Sequence, residues 1–126
     1  MAVVVLQIAK HERGTVVRQA LDFYIDGKEA PKPNYDAGDA NLYSWYYGAQ
    51  ACFQQGGQAW QKWNRIVQPQ IIAKQADDGS WPETGGPKNG QLEPTGTGGT
   101  IDAQVYRNAL CILMLEVYYR YLASSR

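Results

Sequence analysis

The run Ala109-Leu-Cys-Ile-Leu-Met-Leu115 constrains this chain most. It sits within a segment, Ile101 to Leu122, that reads as a long helix, and it is apolar on every face. A helix of that kind needs neighbours all round. In a chain of 126 residues, one domain in size, the neighbours must come from other helices. Apolar spacing of three and four supplies them. Val16, Val17, Ala20, Leu21 and Tyr24 mark a helix over 15–26, with Thr15 as its expected cap and Asp26-Gly27 as its close. Leu42, Trp45, Tyr46, Ala49, Cys52 and Phe53 mark another over 41–55, capped by Asn41 or Asp39. Trp60, Trp63, Ile66, Val67 and Ile71 mark a third over 58–75, with a kink or break expected before Pro69. An apolar opening, Ala2 to Ala9, predicts a helix near 2–11 that starts without a cap. The expected fold is all-α, with five helices and no strand partner for the first segment.

Two stretches stay outside the helices. Residues 27–40 carry Pro31 and Pro33, and residues 77–100 carry seven Gly and three Pro. A loop of that second length is functional, mobile or packed around something. Gly48 lies inside a helix at a cost of about 1 kcal/mol relative to Ala, which predicts close approach of a neighbouring helix.

Charge narrows function by exclusion. Twelve Lys+Arg balance twelve Asp+Glu, so no electrostatic footprint for nucleic acid is present. No signal-peptide pattern is read at the start, and no run reaches the ~20 residues of a membrane span. Cys52 and Cys111 sit in apolar helical runs and read as buried free thiols, with a single bridge between them left open. The lone histidine, His11, lies among Lys10, Glu12 and Arg13 and reads as a surface residue. No His/Cys cluster has metal spacing, and His11 has no partner for a triad. No metal and no cofactor are therefore expected. The loop acids Asp36, Asp39, Glu83, Glu93 and Asp102 read as solvated, with a glycosidase-type carboxylate pair left open. Tyr43, Trp45, Tyr46, Tyr47, Trp60 and Trp63 form an aromatic band. It reads as core, and Trp45, Tyr46, Trp60 and Trp63 are also candidates for lining a cavity.

One motif stands out: Gln75-Ala-Asp-Asp-Gly79-Ser-Trp81-Pro, that is Gln, three residues, Gly, one residue, Trp. It resembles the repeat signature of squalene–hopene cyclases and of the wider terpenoid cyclase and protein prenyltransferase superfamily. The stretches 43–64 and 106–122 are similar to the hairpin and closing helix around such a motif. A weaker likeness links Gln75 to Pro82 with pectate lyases built on helical toroids. The resemblance implies that the chain is part of an α/α toroid, in which Gln75 caps a helix and Trp81 stacks beside it. The departures matter as much. The adjacent pair Asp77-Asp78 lies in the turn, unlike the Asp-rich acid motif of the cyclases. Tyr106-Arg107-Asn108 stands where a prenyltransferase carries a zinc ligand.

The expected function is therefore a non-catalytic helical-toroid module for association or scaffolding. The alternative is an enzyme or enzyme fragment acting on an isoprenoid or a polysaccharide. Five helices make an incomplete ring, so the expected partners are a second copy or the remainder of a longer toroid protein, and a small hydrophobic ligand is allowed. Nucleic acid and a membrane span are not expected.

Overall fold

A computed structural model describes residues 14–27, 33–86 and 100–122 of the chain. Four helices account for most of them: α1 Thr15–Asp26, α2 Leu42–Gln55, α3 Gly57–Ala73 and α4 Ile101–Leu122. The fold is all-α, and no strand occurs among the described residues. The expected helix near 2–11, with His11, lies outside the described residues, as do Glu93 and 87–99 of the long loop. No helix among the described residues is long and apolar enough to cross a membrane.

α2 is the centre of the assembly. It packs most extensively on α4 and nearly as closely on α3, while α1 rests on α3 and α2. Asn41 starts α2, its side-chain oxygen accepting from the Ser44 N–H at 2.8 Å, one of the donors a helix start leaves unpaired. Gly56 then ends α2 and opens α3, with φ of 71° there and 51° at Gly57. Two successive left-handed residues reverse the chain sharply, a conformation that glycine adopts at little cost. Phe53 meets Trp60 edge to face at 5.1 Å, and Gly48 faces Trp63, so α2 and α3 run antiparallel.

Gly48 is a point of close approach between helices. A Cβ there would lie 2.9 Å from ring carbons of both Trp63 and Tyr24. Those two rings stack at 5.3 Å, and the Tyr24 hydroxyl bonds to Ser44 on α2. The missing side chain therefore lets three helices share one contact.

Three expectations are corrected. Thr15 does not cap α1: Gly14 holds that position with no side-chain hydrogen bond. α3 is not interrupted at Pro69 but continues through it to Ala73. Pro69 is on an exposed face, where water is free to take the carbonyl that its missing N–H leaves behind. α4 is not covered all round. Ala103, Leu110, Cys111, Met114 and Val117 are buried, whereas Ile101, Val105 and Ile112 are 79, 63 and 45% exposed, and Ala109 is exposed beside them.

Cys52 and Cys111 are both free and buried. Burial, which disfavours the thiolate, pushes each up to about 12 from an ordinary value of 9.0. Unfolded thiols ionise near pH 9 while these stay protonated, so their contribution is complete below pH 9 and is lost as pH rises toward 12. By pH ~10.5 each thiol removes about 2 kcal/mol, read as a fall in the urea midpoint. Disulfide reagents at neutral pH are expected to modify neither thiol until the chain is unfolded. At Gly48, Ala is expected to destabilise by ~1–3 kcal/mol, despite its better helix propensity, with thermal melts as the check.

Candidate functional site

The turn that follows α3 is densely hydrogen-bonded. Four C-terminal carbonyls of a helix lack intrahelical donors. Here the Lys74 N–H bonds to Gln70 O, and the Gln75 N–H to Ile72 O at 3.3 Å. The Ile71 carbonyl is taken by a side chain: the Trp81 indole Nε1 donates to it at 2.7 Å. Trp81 itself is 2% exposed. The intervening residues form a tight reversal, with Ala76 N–H to Ser80 O at 2.8 Å and Gly79 N–H to Ala76 O at 2.9 Å. Gly79 sits at φ 84°, a left-handed position suited to glycine. The Gln75 amide Nε2 donates to Gly79 O at 3.1 Å. The glutamine thus braces the turn, and the tryptophan, besides packing against the end of the helix, supplies the donor to its carbonyl that the resemblance implied for Gln75.

Asp77 and Asp78 are exposed in this turn. Asp78 accepts from the Ser80 hydroxyl at 2.7 Å and from the Ser80 N–H at 2.9 Å. Those hydrogen bonds, the hydroxyl's first, hold its carboxyl below the usual range.

α4 grips the other side of Trp81. The Asn108 side-chain oxygen accepts from the Trp81 N–H at 2.9 Å, and Arg107 Nε donates to the Trp81 carbonyl at 3.3 Å. Arg107 is only 4% exposed. The segment from residue 33 completes the arrangement. The Tyr35 hydroxyl, 1% exposed as a residue, donates to Pro82 O at 2.7 Å. Gln70 of α3 accepts from the Tyr35 N–H at 2.8 Å and donates to Pro33 O. Gly85 N–H bonds back to Tyr35 O at 2.9 Å, and a Cβ at Gly85 would overlap Asp36 O at 2.0 Å. Burial pushes the Tyr35 hydroxyl well above its ordinary value, consistent with a neutral donor. Sequence reasoning missed Tyr35, Gln70, Arg107 and Asn108 in this role.

The expected cavity aromatics divide. Trp60 and Trp63 line a cavity of about 280 Å³ with α2 as its floor and α3 and α4 as its walls. Trp45 does not reach it: it is buried in the core, edge-on to Tyr35 at 6.5 Å. Tyr46 is also away from the cavity, half-buried against Tyr47 at 5.2 Å. Among the described residues no ionisable side chain lines that cavity. Asp36 pairs instead with Lys74 at 2.6 Å on the surface, while Asp39, Glu83 and Asp102 are exposed. No cluster of metal-ligating side chains occurs among the described residues.

Compared with protein-family models, with curated proteins and with solved structures, the chain matches none.

If the turn is the clamp its geometry describes, Trp81→Ala should cost ~3–5 kcal/mol, and Asn108→Ala ~1–2 kcal/mol by leaving the Trp81 N–H unpaired. A loss below ~1 kcal/mol for Trp81→Ala in urea titrations would show that the ring contributes nothing special.

Proposed function

We propose that the chain is a non-catalytic helical repeat module whose outer faces serve association with further copies of itself. The observation that carries this is the stripe on α4. Ile101, Val105, Ala109 and Ile112 are spaced by four, four and three residues, so they share one helix face over ~16 Å. All four are exposed. The face turned to α2 is already filled, so the stripe belongs to a second contact. α1 offers a comparable surface, with Val16 and Phe23 at 68 and 67% exposure two turns apart. Contiguous apolar surface of this kind marks an interaction site. Repeat architectures use such faces to stack, because each unit buries its surface on the next.

The turn Gln75–Trp81 supports the further reading that the module is related to the squalene cyclase and prenyltransferase toroids. There too a Gln, Gly and Trp at this spacing tie one hairpin to the next. The enzyme alternative draws no support from the cavity, whose described lining has no acid or base.

Sedimentation and light scattering across the micromolar range test the proposal. The parent chain is expected as a dimer or larger species. Val105→Glu with Ile112→Glu should yield a monomer of unchanged helicity. A parent chain that stays monomeric and binds no hydrophobic dye would contradict it.

A further inference from the structure

An α4 stripe that binds a second copy needs a counterpart surface there, and charge discriminates among the candidates. On α4 the stripe Ile101, Val105, Ala109 and Ile112 shares its exposed side with Asp102 and Glu116. Spacings of three and four residues set both carboxylates beside the stripe, one near each end. The other charge among the described side chains of α4, Arg107, is buried.

α4 itself is a poor counterpart. Self-pairing would bring Asp102 and Glu116 against the same two residues of the next copy, and like charges across an interface are disfavoured. α1 is poor as well, because beside Val16 and Phe23 it carries Asp22 and Asp26 against one base, Arg18. α3 differs. Its charged residues are Lys62 and Arg65, both basic and both exposed. Lys62 already pairs with Asp26 of α1, whereas no carboxylate among the described residues pairs with Arg65. Arg65 and Ile72 lie two turns apart on one exposed face. Ile72 is 55% exposed there, and Ile66 adds a further 38% exposed side chain.

We propose, resting on the association reading above, that the α4 stripe of one copy docks antiparallel on the Arg65–Ile72 face of α3 in a second copy. Read in opposite directions the helices match, because Glu116 and Ala109 are also two turns apart. Glu116 then meets Arg65. Ile72 enters the hollow that Ala109, the smallest side chain of the stripe, leaves between Val105 and Ile112. The apolar contact supplies affinity, while the exposed ion pair, worth little by itself, selects the partner face and direction. α3 and α4 both pack on α2 more closely than on each other, so each copy carries the two complementary faces at separate places. The pairing is therefore head-to-tail, and it continues as a stack or closes as a ring.

The test is sedimentation of the full chain and of two face variants. Val105→Glu with Ile112→Glu removes the α4 face, and Arg65→Glu with Ile72→Glu removes the α3 face. Each variant is expected to be monomeric alone, with unchanged helicity. An equimolar mixture is expected to form a 1:1 heterodimer, since each supplies the face that the other lacks. With a self-associating parent, a mixture that stays monomeric, or an α3 variant that associates as the parent does, would overturn the head-to-tail pairing and leave self-association standing. A monomeric parent would overturn both. Charge exchange tests the register without touching the apolar contact. Glu116→Arg and Arg65→Glu should each weaken association about threefold or more, and the two together should restore it. No recovery in the double variant would overturn the proposed pairing.

Discussion

The bond from the Trp81 indole to the Ile71 carbonyl is the contact on which the rest of the structure depends. A helix end is a place where carbonyls need donors, and a buried indole needs an acceptor. Here each need meets the other across a turn of ten residues. Because Trp81 is inserted at the end of α3, its main chain lies where α4 can hold it, through Asn108 on the N–H and Arg107 on the carbonyl. Because that strip is fixed, Pro82 presents its carbonyl to Tyr35, and the segment before α2 is drawn in as well. One side chain thereby joins three parts of the chain that are far apart in sequence. Arg107 is tolerated in the interior because it is bonded there, since an unpaired buried charge is strongly disfavoured.

This arrangement leaves the surface proposed for association elsewhere. With its inner face committed to α2 and to Trp81, α4 keeps an opposite apolar stripe exposed at Ile101, Val105, Ala109 and Ile112. The interior of the helix layer, in turn, is not filled between α3 and α4. The result is a rigid centre, an apolar exterior stripe and a small cavity beside Trp63. The association proposed for that stripe does not require the clamped turn to move.

Helical periodicity made much of this legible. The limits of α1 and α4, Asn41 as the start of α2 and the close approach at Gly48 all follow from local residue chemistry. Pro69 was misleading because the rule against proline in helices assumes that the freed carbonyl has no other recourse, and on an exposed face it does. Thr15 was misleading because a residue able to cap is not obliged to when the chain enters one position earlier. The uniform apolar run in α4 concealed the exposure of Ile112, since periodicity identifies a helix but not how many sides its neighbours cover. Tyr35 was hidden in a proline-rich stretch that reads as loop. Arg107 left a trace: it shares a face with Ala103, Leu110, Cys111 and Met114, and a charge within an apolar stripe signals a buried partner. That the partner is the Trp81 main chain, twenty-six residues away in sequence, depends on the folded topology and not on local pattern.

The account turns on the Trp81 indole being a hydrogen-bonded element of the core, and hydrogen exchange of that single proton measures it most directly. Exchange is expected only through global unfolding, with a protection free energy equal to that of the slowest backbone amides in α2. Exchange of the Trp81 indole on the timescale of solvent-exposed groups, while those amides stay protected, would contradict it.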